Sequence, residues 1–404
     1  MLKNIKSYND LFKLISVTVL SLGLTMISSF ALAHLLSVDD RGLHQLFVTS
    51  ISYVGSISTG GVGFAIALCM RNNQYKNWKT YFLVFLGFSV LVAVIALYLF
   101  TFTAFHLLFI LNVVLTALLT MTLEKCKIDS KLKVYRALTL QQPIILVSVY
   151  GITYLLLGEQ PLWVSINLLT LYAILQAIAC VVYLKRIEME YKNDNKNYTK
   201  ISPRFFFTTW SKQNILQIFS ATTASLDKYL IVFFLGKYTL GLYTVCIAFD
   251  SLVTRFIYIL ADYYYSGLLN NLNRLKSVLF VIFLMSVGAI LLVPILATPV
   301  ITFFFSAKYI DVAPVLIFFI INSIISGLSW VLSQNMLLLG KQVLLFTRQV
   351  IAILVFVILF YFLQRYQLHG LAYSYIGASL TRLVISIIYY FKYPVTNLVV
   401  SKSN

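Results

Sequence analysis

Residues Ala224–Phe256 read ASLDKYLIVFFLGKYTLGLYTVCIAFDSLVTRF, two apolar runs that are joined by a short turn containing glycine. Four charged residues lie inside these runs: Asp227, Lys228, Asp250 and Arg255. A charge near the centre of a bilayer costs roughly 2.5 to 3.5 kcal/mol on insertion scales, so such residues usually face the interior of a helix bundle, pair with one another or line a polar path. The stretch therefore indicates two membrane helices whose charges have a partner or a role.

The composition of the whole chain agrees with this interpretation. Of its 404 residues, 60% are hydrophobic and only 11% are charged, and the mean hydropathy is +0.89. Apolar runs of about twenty residues are long enough to cross a bilayer as helices, so the sequence predicts an all-α polytopic membrane protein. Hydropathy windows predict twelve spans, at 14–36, 46–69, 81–102, 105–123, 138–158, 162–184, 215–235, 242–264, 278–300, 313–332, 348–363 and 371–391.

Lysine and arginine crowd into alternate loops, with 24 on one side of the predicted membrane and 4 on the other. Basic loops stay in the cytoplasm, so both termini are predicted to be cytoplasmic. This asymmetry, together with attraction to anionic membrane lipids, accounts for the net charge of +18. The basic balance therefore gives no reason to expect a nucleic-acid partner.

A short repeat indicates two halves. Leu36–Leu43 and Leu235–Leu242 both read leucine, five residues, Gly-Leu, after the first and the seventh predicted span. An even number of spans in each half gives parallel repeats, related by an axis along the membrane normal. We therefore predict a six-helix bundle at 1–190, a cytoplasmic linker at 191–212 within the long loop 185–212, and a second bundle at 213–404.

The second predicted span is rich in glycine, with Gly55, Gly60, Gly61 and Gly63 among serines and a threonine. Small residues allow close approach of helices, whereas clustered glycines also permit a helix to unwind. We favour tight packing over a discontinuous helix that lines a substrate site.

Polar stripes mark three spans of the second half, because residues three and four apart share one face of a helix. The charged residues on these spans are Asp227, Lys228, Asp250, Arg255, Asp262 and Arg382. All but Asp262 fall near mid-depth, and Asp262 is nearer the cytoplasm. Two interpretations stay open: interhelical ion pairs that fix packing, or contact with a substrate or coupling ion.

Catalytic, cofactor and metal signatures are not found in the sequence. Gly340-Lys341-Gln342 lacks the remaining glycines and the hydroxyl residue of a nucleotide-binding loop. The four histidines are scattered, and the four cysteines have no paired spacing. We therefore predict a protein that is not an enzyme and has no cofactor, metal site or disulfide.

Several short motifs resemble one family. The sharpest are Leu226-Asp227-Lys228-Tyr229-Leu230-Ile231, Leu235-Gly236 and Leu240-Gly241-Leu242-Tyr243; weaker ones are Arg41-Gly42, 303–309 with Ala313, 339–341 and 368–372. With these motifs the chain resembles the polysaccharide and O-antigen flippases of the multidrug/oligosaccharidyl-lipid/polysaccharide exporter superfamily.

The resemblance implies two six-helix bundles around a central cationic cavity in a bacterial inner membrane. It also implies that a polyprenyl-diphosphate-linked oligosaccharide is flipped to the outer leaflet by alternating access, alongside other polysaccharide assembly proteins.

No lysine or arginine lies inside the first six spans as predicted. The head group of such a substrate is therefore assigned to Lys228, Arg255 and Arg382, with Arg41 at the rim. Arginine suits a diphosphate because its planar fork donates two hydrogen bonds to phosphate oxygens. Asp227, Asp250 and Asp262 are predicted to be ion-coupling residues or counter-ions.

Other transporter and enzyme classes fit the sequence less well. A small-molecule antiporter of the same superfamily would be expected to hold acidic residues in its binding lobe, and the first six predicted spans contain none. A major-facilitator transporter would carry a Gly/Asp/Arg signature that 71–76 does not have. A membrane glycan polymerase or ligase would need catalytic groups in a large outer loop, and every predicted outer loop is short.

Overall fold

The computed structural model of the chain describes residues 2–99, 105–128, 133–193, 198–270 and 272–393. Nearly all of these residues are helical. The helices are α1 (Leu2–Leu35), α2 (Val38–Thr59), α3 (Val62–Arg71), α4 (Trp78–Leu99), α5 (His106–Ile128), α6 (Lys133–Leu157), α7 (Leu162–Lys192), α8 (Pro203–Leu269), α9 (Leu275–Phe305), α10 (Ala313–Leu332), α11 (Gln334–Leu338), α12 (Gln342–Leu363) and α13 (Gln367–Lys392). Two 3₁₀ segments (Ala307–Val312 and Gln364–Tyr366) and two short strands, β1 (Gln74–Lys76) and β2 (Thr199–Lys200), complete the described chain.

Ten helical segments of the described chain are long and apolar enough to cross a membrane. Two of them contain a turn and are long enough for two crossings each: Pro203–Leu269, which bends at Gly236, and Gln342–Lys392, which includes the 3₁₀ turn. Gly236 has a φ of +85°, a conformation that glycine adopts without steric cost. The prediction of an all-α polytopic membrane protein is confirmed, and the two long segments leave room for the twelve predicted crossings.

Packing divides the chain into an N-terminal unit, 1–231, and a C-terminal unit, 232–404. In the N-terminal unit, α1 packs on α6, and α5 contacts α2, α3, α4 and α7. In the C-terminal unit, α13 packs on α10 and α12, and α10 also contacts α9. The start of α8, through Ile231, belongs to the N-terminal unit by this criterion. The division into sequence halves at 1–190 and 213–404 stays a prediction.

The loop between the sixth and seventh spans is shorter than predicted. Helix α7 continues to Lys192, and α8 begins at Pro203. Ion pairs lie along the polar end of α7: Glu188 contacts Lys79 at 2.5 Å and Lys192 at 3.2 Å, and Arg186 contacts Glu190 at 3.4 Å. Oppositely charged side chains four residues apart stabilise a helix in water. The helix therefore extends beyond the end of the apolar run from which the span was predicted.

A compact apolar core lies at the end of the N-terminal unit that carries its basic loops. We call this cluster the basal core; its largest members are Met70, Trp78, Phe82, Phe85, Met121, Tyr183, Ile187, Ile201 and Phe206. Strands β1 and β2 lie beside it and pair in parallel, with Gln74 opposite Thr199. Side chains of β1 and the next turn add two bonds: the amide of Ile201 donates to Asn77 Oδ1 at 3.0 Å, and the amide of Ser202 donates to Gln74 Oε1 at 3.1 Å.

Candidate functional site

A buried polar network runs through the C-terminal unit. Its first centre is Arg348 of α12, which is 6% exposed. The Nη1 group of Arg348 donates to the carbonyl and the hydroxyl of Ser329, each at 3.1 Å, and to the hydroxyl of Ser386 at 2.6 Å. The sequence analysis placed Arg348 at the cytoplasmic edge of its span. Because α12 begins at Gln342, Arg348 lies more than one turn inside the helix.

Its second centre is Arg382 of α13, a residue that the sequence analysis assigned to the site. The Nη2 group of Arg382 donates to the hydroxyl of Ser379 at 2.8 Å, and that hydroxyl donates to Asn322 Oδ1 at 2.5 Å. Arg348 and Arg382 repel each other electrostatically. We call Arg348, Arg382 and their partners Asn322, Ser329, Ser379 and Ser386 the arginine cluster.

One acidic residue acts on this cluster. Asp250 of α8 is half-buried, attracts Arg382 electrostatically and accepts a hydrogen bond from the hydroxyl of Ser323. Arg382 therefore lies within electrostatic reach of the Asp250 carboxylate. The Nε groups of Arg348 and Arg382 are buried and have no hydrogen-bond partner within the described chain, so the cluster retains the capacity to bind further acceptor oxygens.

Arg255 and Asp262 lie outside the cluster. Both side chains are exposed on α8, and neither makes a hydrogen bond or ion pair with the described residues. The structure therefore does not bring these two predicted site residues together, although both lie on the predicted stripe. Their roles stay a prediction.

Asp227 and Lys228 pair within one helix of the N-terminal unit. The ammonium of Lys228 donates to both carboxylate oxygens of Asp227 at 3.1 Å and to the carbonyl of Ala224 at 2.7 Å. The two side chains are only 10% and 15% exposed. The contact between Asp227 and Lys228 therefore lies within one helix and is not itself an interhelical ion pair.

Arg41 lies in the first turn of α2 rather than in the outer loop to which the sequence analysis assigned it. Ser37 caps this helix by accepting the amide of Asp40 at 3.2 Å, and α2 begins at Val38. A serine cap followed by acidic residues favours a helix start. Arg41 is therefore part of the helix and not of the loop. Its side chain is 2% exposed, and Nη2 donates to the hydroxyl of Ser29 at 2.8 Å.

The second span is interrupted, contrary to the preferred interpretation of its glycines. Helix α2 ends at Thr59 and α3 begins at Val62, with Gly61 at a φ of +82° between them. The carboxylate of Glu124 on α5 accepts the amides of Gly61 at 2.9 Å, Gly63 at 3.1 Å and Phe64 at 3.4 Å. An acidic group at this position caps the start of α3 and interacts favourably with its helix dipole.

The other side of the interruption is capped as well. Asn214 Nδ2 donates to the carbonyls of Ser56 at 3.3 Å, Ile57 at 3.2 Å and Gly60 at 2.9 Å. Tight packing is also present, because a Cβ atom on Gly63 would lie 1.9 Å from the carbonyl oxygen of Met121.

Neither Glu124 nor Asn214 was predicted as a functional residue. Glu124 lies just after the end of the fourth predicted span, and Asn214 lies just before the start of the seventh. The signal available was that both are polar residues beside apolar runs.

Comparison with known proteins gives a structural match only. No protein-family model matches the chain, and no curated protein matches its sequence. An inward-facing structure of a multidrug-resistance MATE family transporter of the MOP superfamily aligns over 96% of each chain, with a TM-score of 0.65 and 12% identity. A mutant of the MATE transporter VcmN from Vibrio cholerae aligns over 94% of this chain and 95% of its own, with a TM-score of 0.60 and 14% identity. Over nearly its whole length, the chain therefore has the multi-pass membrane fold of MATE transporters of the MOP superfamily.

Proposed function

We propose that the protein transports an amphiphile with an anionic head group, and specifically that it flips a polyprenyl-diphosphate-linked oligosaccharide to the outer leaflet. The observation that carries this proposal is the arginine cluster. Arg348 and Arg382 are held mainly by neutral oxygen atoms, and both keep an unused Nε donor. A positive, incompletely bonded pair of guanidinium groups in an apolar unit is suited to phosphate oxygens.

The remaining predicted residues contribute to different extents. Lys228 is already paired with Asp227, so it offers less charge to a head group than the arginine cluster does. Arg255 is exposed on α8 and adds a further cation on the same helix as Asp250. Asp250, next to Arg382, is the best placed of the three acidic residues to exchange partners when an anion binds.

Alternating access is the proposed mechanism, coupled to an ion or to the membrane potential. Its support is the likeness in fold to MATE transporters, one of which was solved in an inward-facing conformation. In this proposal the protein resides in a bacterial inner membrane with both termini in the cytoplasm, and works with the proteins that make and assemble surface polysaccharide.

A MATE-like small-molecule antiporter is the second candidate. The same structural matches favour it, and Glu124 gives the N-terminal unit a shielded carboxylate that the sequence analysis did not place there. That carboxylate accepts three backbone amides, so its oxygens are largely occupied. This observation favours the flippase over an antiporter that would use Glu124 to bind a cation.

Reconstituted vesicles distinguish the two candidates. Purified protein is incorporated into vesicles that contain a polyprenyl-diphosphate-linked oligosaccharide, and the fraction of glycan open to an impermeant glycosidase is followed with time. We expect the protein to increase this fraction, and the double variant Arg348→Met/Arg382→Met to abolish the increase. Proton- or sodium-driven uptake of an organic cation, without glycan movement, would establish the antiporter and refute the flippase.

A further inference from the structure

A groove of about 110 Å³ lies among α8, α9 and α10 of the C-terminal unit, and every residue that lines it is apolar. The lining residues of α9 follow one another along one face of the helix: Leu292, Val293, Leu296, Ala297 and Val300. A cavity of roughly 150 Å³ in another protein holds benzene. The groove therefore has room for several methyl and methylene groups of a hydrocarbon chain.

The α9 side of the groove is open to the bilayer. Leu292 is 54% exposed and Leu296 is 46% exposed, on a helix that is long and apolar enough to cross a membrane. Pro294 and Pro299 lie within the same stretch of α9. A proline inside a helix removes a backbone hydrogen bond and bends the helix, which is a physical reason for a gap beside α10. A hydrocarbon chain can therefore enter the groove from the surrounding membrane.

The buried wall of the groove leads to the polar network described above. On α10, Leu316 and Ile320 are 2% and 6% exposed and line the groove, and Ser323 follows on the same face. The hydroxyl of Ser323 donates to Asp250 of α8, and the residue before Asp250 is Phe249, which also lines the groove. The groove therefore ends about one helical turn from this network.

The same end of the groove is connected to the arginine cluster. Asp250 attracts Arg382 electrostatically. Asn322 of α10 accepts the hydroxyl of Ser379, which in turn accepts a hydrogen bond from Arg382. Leu316 and Asn322 are six residues apart on α10, about 9 Å at the rise of an α-helix. A head group at the cluster and a chain in the groove can therefore belong to one amphiphile.

We propose that this groove binds the first part of the hydrocarbon tail of the transported lipid while its diphosphate head group lies at the arginine cluster. The inference rests on the proposed function, which it deepens by assigning a place to the tail. On the predicted topology α10 begins at the outer face, so the tail points from the cluster toward that face. Lipid tails of the inner leaflet point in this direction, so the groove holds the substrate in the orientation that it has before flipping.

Titration calorimetry of the purified full-length protein in detergent tests the proposal with three probes. Farnesyl diphosphate has a head group and a short prenyl tail, inorganic diphosphate is the head group alone, and phosphatidylglycerol is an ordinary membrane lipid. Leu296→Trp places a larger side chain in the groove. Leu284→Trp is the matched control, because Leu284 is 53% exposed on α9 and is not part of the lining.

We expect wild type and Leu284→Trp to bind farnesyl diphosphate more tightly than inorganic diphosphate. Leu296→Trp should bind inorganic diphosphate as wild type does, which also shows that this variant is folded. It should bind farnesyl diphosphate at least about tenfold more weakly than wild type, because exclusion of about two methylene groups from an apolar site reduces affinity by this factor.

Two results would overturn the proposal while the arginine cluster keeps its role. Equal affinities of Leu296→Trp and Leu284→Trp for farnesyl diphosphate would place the tail elsewhere. Weaker binding of phosphatidylglycerol by Leu296→Trp, with farnesyl diphosphate unaffected, would show that the groove holds a resident phospholipid. Failure of the proposed function has a different signature: wild-type affinity of Arg348→Met/Arg382→Met for inorganic diphosphate would exclude the cluster as the head-group site, and the assignment of the tail with it.

Discussion

The carboxylate of Glu124 on α5 accepts a hydrogen bond from the amide of Gly61 at 2.9 Å. This contact links α5, the fourth crossing, to the break between α2 and α3 in the second crossing. Glu124→Ala leaves three amides without their acceptor, so we expect the free energy of unfolding to fall by about 2 kcal/mol or more. Glu124→Gln keeps one acceptor oxygen and should have a smaller effect. Thermal unfolding in detergent measures both.

Glu190→Ala serves as the control for this prediction, because the Glu190 side chain is 66% exposed and its ion pair with Arg186 is a surface pair. Such pairs contribute about 0–1 kcal/mol. An unfolding temperature for Glu124→Ala equal to that of Glu190→Ala would contradict the assigned capping role.

Two glycines of the second crossing should respond to alanine in opposite directions. At Gly63 a Cβ atom would lie 1.9 Å from a backbone oxygen of α5, whereas at Gly55 no atom lies within 4 Å. We expect Gly63→Ala to prevent accumulation of folded protein. Gly55→Ala should be neutral or stabilising by up to about 1 kcal/mol, since alanine favours a helix. Fluorescence-detected size exclusion compares the two, and similar profiles would refute the close contact of α3 with α5.

The arginine cluster should be dispensable for folding and required for transport. In Arg348→Met and Arg382→Met, the serine hydroxyls keep other partners: Ser386 donates to the carbonyl of residue 382 at 2.8 Å, and Ser379 donates to Asn322. Arg348 and Arg382 repel each other, so replacing one of them by an apolar residue of similar length removes a like-charge repulsion together with a buried charge. We therefore expect normal amounts of protein in the membrane and loss of glycan export.

Arg365→Met is the control for the arginine variants, since Arg365 is exposed and contacts the hydroxyl of the neighbouring Tyr366. It should export glycan as wild type does. Wild-type export by both cluster variants would remove the cluster from the substrate path, and absence of folded protein would assign it to packing instead.

Reporter fusions should place the loops on the sides that the basic residues predict. A reporter inserted after Asn193, between α7 and β2, should report the cytoplasm, and reporters at Glu159 or Lys308 should report the exterior. Two successive loops on the same side would contradict the twelve crossings.

Hydropathy predicted the crossings well, because a bilayer requires about twenty apolar residues in each helix. It predicted their ends less well. The apolar run of the sixth crossing ends near Leu184, whereas α7 continues to Lys192. Ion pairs between charged side chains stabilise this extension, but charged residues lower the hydropathy from which the span was predicted. The same criterion placed Arg348 at an edge, although its serine partners allow it to lie inside α12.

The interruption at Gly60 and Gly61 could not be chosen from sequence, since clustered glycines fit both tight packing and an unwound helix. The partners that decide between the two, Glu124 and Asn214, are 63 residues and 154 residues away in the chain. Asp227 and Lys228, in the motif that resembles flippases, are adjacent in the chain, so their pairing is a local contact. Long-range contacts determined the interruption of the second crossing, which the sequence did not predict.

The pairing of β1 with β2 has a consequence for the order in which the protein is made. Gln74 meets Thr199 only after four further crossings have left the ribosome, and Ile201 and Phe206, which fill the basal core, follow later still. Until then Trp78 and Phe82 lack part of their apolar surroundings, so the first crossings enter the membrane before the N-terminal unit can consolidate. A nascent chain halted before residue 199 should accordingly be cut by protease near 72–77, and one halted well beyond residue 206 should resist it.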